Sequence, residues 1–322
     1  MPLPQLQGVR SLVTGGAGFI GSHLVDGLLA LGAKVRVLDN LATGKLDNLE
    51  HCVGEIEFLE GDIRDLDTCQ RAADGCAMVF HQAALGSVPR SVKDPSTSFE
   101  VNVQGTVNVL TAAKDAGAGR LIYASSSSVY GDSPTLPKRV GEEGKPLSPY
   151  AATKQFNEQV AEVFATSYGF EAIGLRYFNI YGARQDPNGA YAAVIPRFFK
   201  AALRAGPMII YGDGTQSRDF THVSDAVRAN LLASGAAAAA CGRAYNIAAG
   251  SATSVNDLAR EIASLCGSTS VPSYESPRPG DVKHSLADLS QTTAGIDYRP
   301  SVNLAEGLTA SLDHYRNILE SK

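Results

Sequence analysis

The chain has 322 residues, 44% hydrophobic and 19% charged, which suits a soluble globular protein with one large or two modest cores. A net charge of -5 argues against a nucleic-acid partner, since such binders carry a basic excess. No stretch is long and apolar enough to span a bilayer, and the opening MPLPQLQGVR has no apolar signal core, so a cytoplasmic protein without membrane contact is expected. Cys52, Cys69, Cys76, Cys241 and Cys266 form no C-x-x-C pair and no cluster with His at ligand spacing, so neither a disulfide framework nor a metal site is predicted.

In chain order, Val9–Thr14 reads as a strand, His23–Leu31 as a helix, and Lys34–Asp39, Ile56–Gly61 and Ala77–His81 as further strands. Val101–Ala116 has helical spacing of apolar residues. Arg120–Ser125 is a strand, Pro149–Ser167 a helix and Ala172–Phe178 a strand. Strands that are apolar throughout, alternating with helices, imply a parallel sheet covered on both faces. The expected fold class is α/β, a doubly wound Rossmann sheet with a smaller α+β substrate lobe and the ligand outside the carboxyl ends of the strands. Beyond Asn179 the chain becomes rich in Gly and Pro. Residues 1–180 are assigned to the large sheet domain, and 181–217 with 249–322 to the smaller lobe. Arg218–Val223 and Ala244–Ile247 read as strands, so that 218–248 is expected to rejoin the large sheet. The run Ala236–Ala240 reads as a helix end or loop.

SLVTGGAGFIGSHLV places Gly15, Gly18 and Gly21 between a strand and a helix. Such spacing alone is a weak signal. In this context it provides a turn open to positive φ, a position without Cβ for backbone close to a pyrophosphate, and a helix N-terminus facing the phosphates. Asp39 ends the second strand, where a carboxylate accepts ribose hydroxyls and repels a 2′-phosphate. NAD is therefore favoured over NADP. Asp62 and Ile63 close the third strand, at a place that can flank an adenine. Ala83 and Ala84 follow the fourth, where small residues let backbone pass close to a ligand. His81 reads as a packed structural residue.

SPYAATKQFNEQVAEVF starts a helix, with Ser148 at its N-cap and Pro149 at its first position. Tyr150 and Lys154 are four apart and share a face. A phenol is a poor base at neutral pH, and a neighbouring ammonium together with the positive nicotinamide ring favours the phenolate. Lys154 can also bind the nicotinamide ribose. Upstream, YASSSSVYG ends a strand with serines able to hydrogen-bond a sugar oxygen beside Tyr150.

Together TGGAGFIG, LDN, GDIRD, SSSVYG, YAATK, LRYFNIYG, YGDGTQSRDF and RPGD resemble the extended short-chain dehydrogenase/reductase family, and within it the nucleotide-sugar 4-epimerases, over nearly the whole chain. The resemblance implies Ser126 as the catalytic hydroxyl with Ser127 beside it, and Tyr150 as the base that takes the proton from the sugar O4. A 4-keto sugar then turns over in the pocket and is reduced from its other face, with the cofactor regenerated each cycle. Phe19, Ile20 and Asn40 join the cofactor set, with Tyr177 beside the nicotinamide. Dehydratase relatives carry Asp-Glu where Ser127 and Ser128 stand, and decarboxylating relatives carry Glu at Ser128, so the reaction is expected to stop at epimerisation.

The same resemblance places Asn179, Arg218 and Arg278 at the UDP phosphates and Asp281 at the uridine ribose. Tyr211 and the Ala193–Pro196 stretch, including Val194, are placed along the uracil side. Gly86 and Ser87, in LGSVPRS, are placed at the sugar. Strict UDP-galactose epimerases hold a bulky aromatic where Ser285 stands, so room for a 2-N-acetyl group is expected, and with it interconversion of UDP-GlcNAc and UDP-GalNAc. UDP-glucose/UDP-galactose, or a uronate paired with Arg90 or Lys93, are the alternatives. A net dehydrogenase or reductase on the same fold, and an NAD-binding regulator without catalysis, are the rival classes. The family usually dimerises through the Tyr–Lys helix and the helix before the Ser strand, which implies a homodimer built on Pro149–Ser167 and Val101–Ala116.

Overall fold

Turns carrying Gly, Asp or Asn cut the apolar runs into segments short enough for strands, and the stretches between them place apolar residues at helical spacing. The computed structural model describes residues 3–189, 192–277 and 282–320. Its first half alternates β1 (Arg10–Thr14), α1 (Phe19–Ala30), β2 (Lys34–Asp39), β3 (Ile56–Glu60), α2 (Leu66–Ala73), β4 (Met78–His81), α3 (Val88–Lys93), α4 (Pro95–Phe99), α5 (Gly105–Asp115), β5 (Arg120–Ser126), α6 (Pro149–Tyr168) and β6 (Ala172–Tyr177). The second half holds β7 (Ile180–Tyr181), α7 (Val194–Leu203), β8 (Met208–Tyr211), β9 (Ser217–Arg218), β10 (Thr221–His222), α8 (Val223–Ser234), β11 (Arg243–Ile247), β12 (Thr253–Ser254), α9 (Val255–Leu265), β13 (Pro272–Glu275), α10 (Ser290–Ile296) and α11 (Leu304–Glu320).

The main sheet is parallel, in the order β11-β6-β5-β4-β1-β2-β3. Its strands alternate sides. Val13 and Val37 face α1 and α8, joining Leu24, Leu28, Ala229 and Leu232 in one core. Leu12, Val79 and Leu121 face α2, α5 and α6, joining Val109, Leu110 and Phe164 in the other. Each large apolar side chain so buried contributes about 1.5–3 kcal/mol relative to exposure. A third core, with Phe198, Phe199, Leu258, Ile262, Leu308 and Tyr315, joins α7, α9 and α11. The sheet order reverses between β1 and β4, which opens the crevice in which open parallel sheets bind ligands.

The structure corrects two sequence expectations. Arg218–Val223 does not enter the large sheet. Thr221–His222 pairs with Ile180–Tyr181, and Ser217–Arg218 pairs with Thr253–Ser254. The kink falls at Asp219, whose carboxylate accepts the backbone N–H groups of Ala249, Gly250 and Ala287, and α8 begins at Val223. Arg243–Ile247 is the edge strand beside β6. Nor is Val101–Ala116 one regular helix, because Glu100–Gln104 forms a π turn between α4 and α5. There the buried Asn102 amide takes the N–H of Leu85 at 2.8 Å and donates to its carbonyl at 3.3 Å. Fixing that loop compensates for the irregular turn. Among the described residues, no helix is long and apolar enough to cross a membrane.

Candidate active site

The loops at the carboxyl ends of β1 to β6 enclose a cleft of about 730 Å³. At its floor is the glycine turn. Gly15 has φ +70°, and a Cβ there would sit 2.6 Å from the Ala83 nitrogen, while one on Gly21 would sit 2.1 Å from the Gly15 carbonyl. Only glycine lets the turn, the start of α1 and the loop after β4 approach this closely. Gly18 precedes α1 without a side-chain cap, and the first turn of that helix carries no acid, so its N–H groups remain available to an anion.

Asp39, 8% exposed, does more than end a strand. One carboxylate oxygen accepts the Ala17 N–H at 3.0 Å and the other accepts that of Leu41 at 2.8 Å, so it ties the glycine turn to the loop after β2. Burial raises its pKa, and the two N–H bonds oppose that shift. Asp62 is held by Arg64, with Nη2 at 2.8 Å and Nε at 3.1 Å, and by Asn40 at 2.8 Å. These hydrogen bonds lower its pKa to about 2 despite the opposing effect of burial. Phe19, Ile20, Asn40, Ile63, Ala83, Ala84 and Gly86 complete this side of the cleft.

His81 is structural, as its sequence context suggested. The Thr106 hydroxyl donates to the Asn102 carbonyl at 2.6 Å, so it must accept from His81 Nε2, 3.0 Å away. The other ring nitrogen then accepts from Thr14 at 2.7 Å. Burial lowers its pKa to about 3, with the Lys154 charge acting in the same direction, so the ring is neutral.

The opposite wall brings together the side chains suited to proton transfer. Ser148 caps α6 by accepting the Ala151 N–H at 3.1 Å, and Ser91 fixes the backbone of Tyr150 at 3.1 Å. The Tyr150 phenol reaches Ser126, and Lys154, one turn on and 3% exposed, donates to the Ala124 carbonyl at 2.7 Å. Burial raises the pKa of the phenol and the Ser126 hydrogen bond lowers it. Burial lowers that of Lys154 to about 8, opposed by the Glu158 carboxylate. Ser127, Tyr177 and Asn179 line the same wall. Asn179 adopts φ +38°, a conformation Asn tolerates, and donates to the Asp219 carbonyl at 3.1 Å.

Among the described residues, the remaining sequence candidates are not in the lining of this cleft. Ser87 caps α3 by accepting the Arg90 N–H. Ala193 and Val194 start α7. Tyr211 ends β8 under the Arg197 guanidinium, which lies 5.5 Å from its ring centre. Arg218 donates to the carbonyls of Ser217 and Lys283, and the Ser285 N–H donates to Ser217, so Arg218 and Ser285 share one small cluster. Arg278 and Asp281 lie outside the described residues.

Sequence reading missed three supports. Asp219, fully buried, accepts the N–H groups of Ala249, Gly250 and Ala287 at 2.9–3.2 Å. Its only signal was its place after Arg218 in SRDF. Gln82 and Asn230 form a closed ring with Tyr177: the phenol donates to Gln82 at 3.0 Å and accepts from Asn230 at 2.7 Å, and Gln82 donates to Asn230 at 3.0 Å. No local pattern could have revealed that ring.

A glycine cradle without room for Cβ, an uncapped helix N-terminus, a strand-end carboxylate and a Ser–Tyr–Lys wall together fit a nicotinamide dinucleotide beside a hydroxyl-bearing substrate. Fold and site thus define a Rossmann-type NAD-dependent enzyme. The chain belongs to the NAD dependent epimerase/dehydratase family, whose pattern it matches over residues 11–248. It is 38% identical to the UDP-glucose 4-epimerase of Mycolicibacterium smegmatis over 96% of this chain and 99% of that one. Identity is 34% to a UDP-N-acetyl-alpha-D-glucosaminuronate decarboxylase of Bacillus cytotoxicus, over 96% and 98%. The UDP-N-acetylglucosamine 4-epimerase of Methanobrevibacter ruminantium, solved with UDP-N-acetylmuramic acid, superimposes with a TM-score of 0.92 at 38% identity, over 97% of this chain and 99% of that one.

Proposed function

We propose that the protein is a 4-epimerase of UDP-hexoses and that its preferred pair is UDP-GlcNAc and UDP-GalNAc. The observation that carries this reading is the Tyr150–Ser126 contact, set in the cleft wall one helical turn from Lys154. NAD, when bound, would supply the oxidising ring. Gly15, Gly18 and Gly21, which line the cleft, would hold its pyrophosphate, and Asp39 its adenosine ribose. Tyr150 takes the proton from the sugar O4, Ser126 holds that oxygen and passes the proton, and Lys154 keeps positive charge near the phenolate.

The strand end supports epimerisation over dehydration or decarboxylation. Ser127 and Ser128 follow Ser126, and neither supplies the carboxylate that a further acid–base step needs. Asn179 and Arg218 are assigned to the UDP phosphates. The small side chain of Ser285 supports room for an N-acetyl group. One observation favours a second reading: Arg90 lines the cleft and suits the carboxylate of a UDP-N-acetylhexosaminuronate. Separate incubations with UDP-GlcNAc, UDP-glucose and the acetylated uronate, followed by anomeric-proton NMR, decide among them. Fastest turnover is expected with UDP-GlcNAc, and conversion of the uronate alone would favour the second reading.

The proposed assembly is a homodimer. Val92, Phe99, Phe156 and Val163 are large apolar side chains left exposed on α3, α4 and α6, helices that pack together on one side of the sheet. Sedimentation at micromolar concentration should show a dimer; a monomer alone would refute the assignment.

A further inference from the structure

Three turns of α6 grip three consecutive residues at the end of β5. Tyr150 meets Ser126, and Lys154 donates to the Ala124 carbonyl at 2.7 Å. Glu158, a turn further on, accepts the Ser125 hydroxyl at 2.5 Å. Its two oxygens also take Arg176 Nε at 2.9 Å and Nη2 at 2.6 Å. Arg176 stands beside Ser125 in the β5–β6 register, and Tyr177 stands beside Ser126. The far side of that guanidinium is held by Glu143 and by the Tyr130 phenol, which donates to Asn246. Lys154 and Arg176 are 3% and 4% exposed, so these charges act on one another with little solvent screening.

We infer that Glu158 is a positioning residue of the active site, which fixes the β5 end through Ser125 and keeps the Lys154 amine in its ammonium form. The charged and titratable groups around that amine come from each element packed on it. Tyr150, Glu158 and, further on, Glu162 lie on its own helix, His81 on β4, Tyr123 on β5, and Arg176 with Tyr177 on β6. His81 is neutral and the tyrosines are protonated in the resting protein, so the carboxylate of Glu158 is what counters burial of the amine. An ammonium so maintained favours ionisation of Tyr150, the group on which the proposed proton transfer rests.

The test reads the tyrosinate ultraviolet band of the NAD-bound protein against pH, taking Tyr150 as the difference from a Tyr150→Phe version of each variant. Glu158→Gln should move the Tyr150 ionisation to higher pH by about one unit, the effect of losing a nearby counter-charge. Glu158→Asp, which keeps the charge, should titrate close to wild type while losing turnover through its shorter reach to Ser125. Coincident wild-type and Gln curves would overturn the proposal, as would an Asp curve that follows the Gln curve. Should Glu158→Gln alone not fold, Glu158→Gln/Arg176→Gln removes the guanidinium together with its carboxylate and is expected to shift the ionisation in the same direction. The titration uses no sugar, so a wild type that epimerised no UDP-hexose would refute the function proposed above and leave this inference to be decided by the titration.

Discussion

The cofactor side of the cleft and the smaller lobe, most of whose strands lie off it, are held by different means. On the cofactor side, the turn after β1 and the loops after β2, β3 and β4 leave adjacent parallel strands, so the hydrogen-bond ladder of the sheet spaces them. In the smaller lobe, two-residue strands such as Ser217–Arg218 and Thr221–His222 have almost no ladder, and single side chains hold them. Asp219 alone connects residues 249, 250 and 287. The first construction should resist loss of a side chain but not addition of a Cβ, and the second should behave the other way round. Such tethered loops can change ligand preference without disturbing the sheet.

Tyr150 lines the cleft, and its loss should have the largest effect. Tyr150→Phe is expected to lower kcat by about 10²–10⁴-fold, the usual contribution of a positioned proton-transfer group, with NAD binding preserved. Near-normal turnover by that variant would remove the assigned base. The contrast between the two sides is sharpened by Asp219→Ala, which leaves three backbone N–H groups without their acceptor. Urea unfolding should show a loss of about 3 kcal/mol. UDP-sugar affinity should fall with NAD affinity maintained, whereas equal losses of both would erase the distinction.

Ser285→Tyr tests whether the tethered side sets specificity. Turnover of the N-acetylated pair should drop by about tenfold or more relative to UDP-glucose/UDP-galactose, and an unchanged ratio would count against the gatekeeper. The smallest effect is expected from Arg64→Ala on the cofactor side. The Asp62–Arg64 pair is partly exposed, at 26% and 43%, so its contribution is under about 1 kcal/mol. Because the folded-state pKa of Asp62 is depressed from 3.8 to about 2, that contribution is present above the unfolded value and disappears as pH falls through about 2. Comparing the thermal stability of the two proteins across that range checks it; a gap that widened in acid would contradict the sign.

The ladder-built side was largely legible in the sequence because its signals are local. Lys34–Asp39 was read with its observed bounds, and Gly15, Gly21, Tyr150 and Lys154 sit in short segments whose residue types state their geometry. What escaped reading depends on partners distant in the chain. The Gln82–Asn230 bond spans 148 residues, and the kink at Asp219 is fixed by loops 30 and 68 residues onward. The π turn at Glu100–Gln104 follows from Asn102 binding the backbone of Leu85, which helical periodicity does not encode. Glu158 carries no local signal, because its role depends on β5 and β6 placing Ser125 and Arg176 against it.

The central claim is that the hydrogen taken from the sugar C4 returns to that same carbon. The most direct measurement follows UDP-GlcNAc deuterated at C4 through turnover in ordinary water, reading the label by NMR and mass. The product should keep its deuterium at C4, and unlabelled substrate in heavy water should gain none there. Washout of the label into solvent would contradict the account.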